Sequence, residues 1–468
     1  MPVWLERLIP ILLLLAVVAI VFARLPKVDV GHDKAFMHRR FMNWFPLGMT
    51  YAFLYMGRYN LTQAASALSD LIDNHDFGTI KATGTIVYGF SFVLNGPLTD
   101  RYGGRATMIV AATGSALANI AMGVLVWSGH TDDIVRNFSI LYGINMYFQS
   151  FGAVSIVKVN AAWFHLKERG TFGGIFGILI SLGLYFAYDW CGILAHNAPP
   201  PWVFWLPAAI LLVFAVANVI FVRDTPGQAG LADFDTGDAD WGAAVDARRG
   251  FREAIAEVAR VGTMMLRQPA ILIIAGIEFC SGFTRSSLMD WYVRFSDQTG
   301  TASNYIASNW GMAQCIAGIT GGVLAGLISD RVFGSRRGPV AGMLYGVILV
   351  LALIMGVVIT NVYALGAVVI VMMLSVIGVH GMLSGAASMD FGGKKNVGIV
   401  VGIIDGFVYL GQGLQYLTIS RIVPEGDAAT HMGNWWTWPL AIAPFALLGL
   451  LLSTRIWQAK PQRSAPAH

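Results

Sequence analysis

Apolar residues in this chain come in blocks of about twenty, parted by short polar stretches. A helix of about twenty apolar residues crosses the roughly 30 Å of hydrocarbon in a bilayer. The pattern predicts thirteen such helices, the first at about Trp4–Phe22. Six follow at about Phe41–Ala67, Thr79–Leu98, Ala106–Trp127, Phe138–Asn160, Thr171–Leu194 and Trp202–Val222. Six more follow at about Pro269–Val293, Ser303–Ile328, Pro339–Ile359, Tyr363–Ser388, Val397–Ile422 and Trp435–Ile456.

The longest interruption, Arg223–Gln268, divides the later helices into two sixes. Its front, "RDTPGQAGLADFDTGDAD", reads as a turn-filled linker. Its second half puts Phe251, Ile255 and Val258 on one helical face, which predicts an amphipathic helix lying along the membrane surface. The expected organisation is an extra transmembrane helix and connector over 1–40, a bundle over 41–222, the linker over 223–268, a second bundle over 269–456 and a tail over 457–468. The fold class is an all-α membrane protein.

Composition agrees. Of 468 residues, 56% are hydrophobic and 12% charged, against about 25% charged in soluble domains. The net charge of +4 carries little meaning until it is placed. One set of connections holds Arg24 to Arg40, Arg101 and Arg105, Lys167 and Arg169, Arg331 to Arg337, Lys394 and Lys395, and the basic tail. The opposite set holds little beyond Arg7, Lys81, Arg136, Arg294 and Arg421. Lysine and arginine favour the cytoplasmic side, so the C-terminus is expected inside and the N-terminus outside. The first helix has one positive charge ahead of it, balanced by Glu6, and several behind it, which favours a retained helix over a cleaved signal.

No glycine-rich phosphate loop, paired metal motif or nucleophile elbow occurs. No enzyme activity, cofactor, metal or nucleic-acid partner is expected. The three cysteines, Cys191, Cys280 and Cys315, lack metal spacing and read as packing residues.

Against this background Arg58, in "LYMGRYNLTQ", stands out as a guanidinium inside an apolar run. Arg285, in "FCSGFTRSSLMDW", lies 227 positions later. A second feature repeats at nearly that offset: "GPLTDRYGGR" and "GLISDRVFGSRRG" place Asp100 and Asp330 230 positions apart. Internal repeats of this kind build many transporters, with the substrate near mid-membrane. The two arginines are therefore expected to be symmetry-related and to face each other across a central cavity. A mid-membrane charge must line water or find a partner. Guanidinium forks hold phosphate or carboxylate bidentately. The competing reading is an arginine that neutralises a buried carboxylate, and Glu278, seven residues before Arg285, keeps it open. Tyr51 and Tyr55 share a helix face with Arg58, as anion-facing phenols or as an aromatic ridge.

The two Asp-Arg loops resemble the conserved cytoplasmic loop of the major facilitator superfamily. Within it, the residues around Tyr55–Ala64, "VRDTPGQAGL", "RSSLMDWYVRF" and "GLISDRVFGSRRG" with "GGKKNVG" resemble the organophosphate:phosphate antiporter group, which includes bacterial glycerol-3-phosphate and hexose-phosphate transporters. The resemblance covers Phe41 to the last helix. It implies the major facilitator fold of two six-helix bundles, to which the chain adds its first helix. It implies exchange of an organic phosphate for inorganic phosphate by alternating access, in the inner membrane of a bacterium. It also implies that Arg58 and Arg285 bind phosphate, with Tyr51, Tyr55 and Tyr409 around them. Two positions depart from the glycerol-3-phosphate branch. Phe92 stands where that branch has lysine, and Ile180 where it has histidine. New acids, Glu278 and Asp405, point to a less anionic ligand or to proton coupling.

Other positions carry blander expectations. Asp405 is expected to contact substrate, carry a proton or pair with Arg285. Asp189 is expected to be a solvated acid near the outer helix end, and Lys158 to snorkel to the cytoplasm. His380 reads as a pH reporter or as a histidine bonded to a neighbouring helix. Asp100, Arg101 and Arg105, with Asp330, Arg331 and Arg336, read as latches on the cytoplasmic face, or as solvated loop charge. Glycines at 173 and 177, 318 and 322, and 398, 402 and 406 are expected to bring helices close. "GNWWTWP" reads as an interfacial aromatic belt. The expected partners are a small anionic solute, inorganic phosphate and the bilayer. The chain is expected to act as a monomer, with the first helix available to a partner. Two alternatives remain: a proton-coupled transporter of another anionic or zwitterionic solute, and a transporter-like ligand sensor.

Overall fold

The computed structural model describes residues 31–165, 168–236, 266–334, 336–383 and 388–458, with isolated positions 12, 16, 19, 20, 256, 259, 260 and 262–264; at 93, 169–174 and 388–401 it describes backbone alone. Twelve long helices carry these residues. They are α1 (Lys34–Ala67), α2 (Asn74–Tyr102), α3 (Gly104–Trp127), α4 (Ile134–Trp163), α5 (Arg169–Tyr185) and α6 (Trp202–Phe221), then α7 (Pro269–Gln298), α8 (Trp310–Val332), α9 (Arg337–Val357), α10 (Val362–His380), α11 (Ser388–Ile419) and α12 (Thr437–Arg455). No strand occurs among the described residues. The expected first helix and the amphipathic linker helix lie outside the described residues, apart from the isolated helical positions named above.

Among the described residues, nine helices are long and apolar enough to cross a membrane, α5 counting with its continuation to Asn197, and α2 makes a tenth although it bends by 53° between Phe92 and Leu94. α1 and α11 have the length, but Arg58, Asn60 and Gln63 break the apolar run of one, and Asp405, Gln412 and Gln415 that of the other. Helices overrun the apolar blocks where polar ends can be capped. α1 starts at Lys34 because Asp33 accepts the Phe36 N–H at 2.7 Å, and its 34 residues extend about 51 Å.

Helix pairing repeats. α1 packs on α4, α5 and α6, and α3 packs on α4 and α6. Six helices later, α7 packs on α10, α11 and α12, and α9 packs on α10 and α12. The spacing of 227 to 230 residues in the sequence thus corresponds to a repeat of packing.

The chain forms two compact units, one of Met1–Asp73, Leu94–Ala254 and Ser308–Ile319, the other of Asn74–Val93, Ile255–Ala307 and Thr320–His468. Two half-helices therefore change company. The first part of α2 packs with the second unit, where Tyr88 lies on Tyr409 with ring centroids 4.0 Å apart and Asn74 donates to Pro424 O at 2.8 Å. The start of α8 packs with the first unit, where Ile178, Tyr185, Met312, Cys315 and Ile319 form one apolar cluster.

Asp189 holds that start in place. It sits in a π-helical turn, Phe186–Trp190, and accepts the N–H groups of Gly311 at 2.6 Å and Met312 at 2.9 Å. The expectation of a solvated interfacial acid is corrected: Asp189 caps α8, whose first N–H groups have no partner inside their own helix.

Two further expectations change. Of the three tryptophans in "GNWWTWP", Trp436 is exposed, whereas Trp435 and Trp438 are fully buried and donate to Ala429 O at 2.9 Å and Ser287 O at 3.1 Å. Among the singled-out glycines, Gly318 does meet a neighbouring helix, where a Cβ would crowd Ser181 Oγ, and Gly173 and Gly398 lie where backbone alone is described; the close backbone approaches fall at other glycines. A Cβ at Gly282 would overlap Val408 O, one at Gly411 would overlap Phe279 O, and one at Gly183 would crowd Ala52 O. By contrast, Gly177 and Gly322 face open space.

Candidate functional site

Arg58 lies on α1 and is 1% exposed. Its Nε donates to Gln149 Oε1 at 2.8 Å, and its guanidinium lies 4.6 Å from the centre of the Tyr55 ring. Gln149, on α4, donates in turn to Ser115 Oγ and Asn145 Oδ1, each at 3.1 Å. Asn145 donates to Gly57 O at 2.9 Å, Asn60 donates to Asn119 Oδ1 at 2.8 Å, and Tyr142 donates to Arg58 O at 3.1 Å. α1, α3 and α4 thus share one buried polar network that fixes both the backbone and the side chain of Arg58. Such a network rigidifies when its members are satisfied. Tyr51 meets Tyr55 edge-on at 5.3 Å and stacks on Phe176 at 5.1 Å.

Arg285 lies in α7 of the second unit, half-buried. Two turns earlier on the same face of α7, Glu278 is fully buried, and its Oε2 lies 2.8 Å from Nδ1 of His380 on α10. Asp405 on α11 is half-buried, and Tyr409, a turn later, is buried against Tyr88.

The expected latches have these places. Asp100 pairs with Lys158 at 2.7 Å, so Lys158 is engaged by a helix end and does not simply snorkel. The Arg105 side chain donates to Val219 O at 2.6 Å, and its N–H donates to Asp224 at 2.8 Å. Arg101 lies 5.6 Å from the Tyr102 ring. At the corresponding loop of the second half, Asp330 pairs at 3.2 Å with Arg337, one residue past the expected Arg336. Arg336 donates to Phe333 O at 3.0 Å and Gln458 Oε1 at 3.2 Å, and Arg331 is exposed.

A second charged cluster was not anticipated. Lys81 and Asp290 are fully buried and form an ion pair at 3.2 Å, and the Tyr416 hydroxyl donates to Asp290. Arg294, 1% exposed, donates to Asn74 Oδ1 at 3.0 Å. Position along the chain puts Lys81 and Arg294 among the outer connections. They are interior groups, and removing them from the outer tally widens the asymmetry between the two sides. The signal was present: Lys81 lies inside the apolar run Thr79–Leu98 and Asp290 inside Pro269–Val293, and charges within such runs default to function.

The Major Facilitator Superfamily profile matches residues 47–415. The chain belongs to the Major Facilitator Superfamily. This places it among membrane transporters and not among enzymes. It is 28% identical over 333 residues to the glycerol-3-phosphate transporter of Bacillus subtilis, covering 68% of this chain and 70% of that one. It is 23% identical to the probable hexose phosphate transport protein of Chlamydia muridarum, over 92% of this chain and 93% of the relative. It is also 22% identical to the membrane sensor protein UhpC of Salmonella typhimurium, over 84% and 88%. The resemblance drawn from the motifs is thus met across most of the chain. Solved structures share the superfamily's fold. A bacterial homologue of the lysosomal transporter Spinster, inward-facing and unoccupied, superposes with a TM-score of 0.69 at 13% identity, over 93% of this chain and all of that one. The D-xylose-proton symporter does so with 0.63 at 15% identity, over 89% and 98%.

Proposed function

We propose that this chain is a secondary transporter of small organic phosphates that exchanges them for inorganic phosphate by alternating access. The observation that carries this reading is Arg58. Its guanidinium is buried in an apolar helix, with its Nε on the Gln149 amide and its plane near the Tyr55 ring, and a guanidinium fork of this kind holds phosphate oxygens bidentately. Relatives over most of the chain are named as phosphate-ester transporters. Arg285 supplies the second guanidinium, and Tyr51, Tyr55 and Tyr409 supply aromatic walls and hydroxyl donors. Phe92 and Ile180, in place of lysine and histidine, favour a ligand less anionic than glycerol 3-phosphate. The arginine-rich connections support a bacterial cytoplasmic membrane, with the N-terminus outside and the C-terminus inside. The Asp100–Lys158 and Asp330–Arg337 pairs act as latches at that inner face. The monomer is the working unit.

The test is labelled-phosphate uptake by liposomes that contain inorganic phosphate. The original protein exchanges phosphate. Arg58→Lys and Arg285→Lys each lose about 10- to 100-fold in rate, the effect of losing a charge-assisted hydrogen bond worth about 1.5–3 kcal/mol. Absence of exchange by folded original protein removes this reading. A second reading, a ligand sensor, is favoured by the similarity to UhpC. It requires phosphate binding without transport in the same liposomes.

A further inference from the structure

Glu278 and His380 form a buried pair apart from the arginine network of α1. Glu278 is fully buried on α7, and its Oε2 meets His380 Nδ1 at 2.8 Å. The other carboxylate oxygen, Oε1, has no hydrogen-bond partner among the described residues. The His380 side chain is 25% exposed at the end of α10, so one member of the pair reaches outward while the other is sealed.

Among the described residues, the His380 ring is the hydrogen-bond partner of the Glu278 carboxylate. From α9, Tyr345 gives its hydroxyl proton to Ile277 O at 2.6 Å. On α7 itself stand Cys280, two residues on, and Arg285, seven residues on, or about 10 Å along the axis. α11 contributes Asp405 within its fully described part, and α12 has no ionisable side chain before Arg455. A carboxylate and a neutral imidazole together hold one negative charge. With one more proton the pair is neutral, whichever atom carries it.

We propose that the Glu278–His380 pair is a proton-binding site that couples proton entry to anion entry. The inference rests on the phosphate reading above. The positive charge of Arg285 opposes a proton on the pair. An anion held at Arg285 cancels that opposition, and a proton on the pair cancels the negative charge that opposes the anion. Each ligand therefore favours the other, by the same factor in both directions. One proton is taken up by the pair from the acidic side and released on the other side with the anion. No covalent bond forms or breaks.

The test uses full-length protein in phosphate-free liposomes, with the membrane potential clamped by potassium and valinomycin and the outside one pH unit more acidic. The original protein accumulates the transported phosphate ion up to about tenfold, the limit for one proton per ion at one pH unit and zero potential. Glu278→Gln and His380→Gln lose this accumulation and keep phosphate-for-phosphate exchange in phosphate-loaded liposomes. Exchange without proton-driven accumulation in the original overturns the coupling and leaves the transport reading intact. Accumulation retained by either variant also overturns it, because the proton then travels on phosphate itself or elsewhere. Absence of both activities in the original overturns the phosphate reading and the coupling with it. Where a variant has lost exchange as well, entrapped pyranine in the original decides. Entry of one proton more than phosphate itself carries supports the pair, and no extra proton overturns it.

Discussion

The Nε of Arg58 is held by Gln149, a neutral amide. An amide at that place orients Nε without adding a negative charge of its own. Gln149→Leu is expected to weaken phosphate binding about tenfold, the cost of one hydrogen bond to a charged group. Gln149→Glu is expected to weaken it further, since the new carboxylate competes for the guanidinium. Isothermal titration in detergent checks both, and unchanged affinity in Gln149→Glu would show that Arg58 does not hold the anion. Arg58 itself was legible in the sequence, because a guanidinium inside an apolar run needs an explanation. Gln149, Asn145 and Asn119 were not. A single amide costs little in a long helix, and nothing along the chain says that three of them converge on Gly57 and Arg58.

At the scale of elements, two glycines decide how near α7 and α11 approach. Gly282 lies against Val408 O and Gly411 against Phe279 O, so each helix puts a bare Cα where the other puts a carbonyl. Gly282→Ala is expected to cost about 1–3 kcal/mol of stability through overpacking, seen as a lower midpoint of thermal unfolding, while Gly177→Ala, facing open space, leaves the midpoint in place. The start of α8 depends on Asp189 in the same local way. Asp189→Ala removes both acceptors for Gly311 and Met312 and is expected to cost about 1–2 kcal/mol, with faster amide exchange at those two residues. The sequence offered glycines at four-residue spacing, but spacing alone does not tell which ones meet a backbone. That depends on the rotation of each helix about its axis.

For the whole molecule, the two halves are less separate than the linker at 223–268 suggests. The first part of α2 packs with the second unit, and the Lys81–Asp290 pair ties it to α7 there. Removing one member strands a buried charge, whereas replacing both does not. Lys81→Met alone is expected to lose about 3–5 kcal/mol of stability, and Lys81→Met with Asp290→Asn markedly less. A double-mutant cycle on thermal unfolding checks this, and equal losses in the single and double variants would mean the pair does not couple. Under the proposed alternating access this contact is expected to loosen as the protein changes state, so the double variant is also expected to alter the rate of phosphate exchange.

The sequence by itself determined the membrane class, the twelve long helices of the described residues, each to within about four residues of at least one end, the twofold repeat and the arginines that mark it. Each of these is local or periodic: apolar length sets a span, a charge in oil is conspicuous by itself, and a repeat shows as a constant offset. Only the tertiary structure decided the partners. Lys81 and Arg294 passed for loop charges, Asp189 for a solvated acid and Trp435 and Trp438 for an interfacial belt, because hydropathy reports the neighbours along a helix. Which side chain lies across from another depends on helix rotation, on the bend in α2 and on which unit a half-helix joins. No pattern along the chain encodes those three quantities.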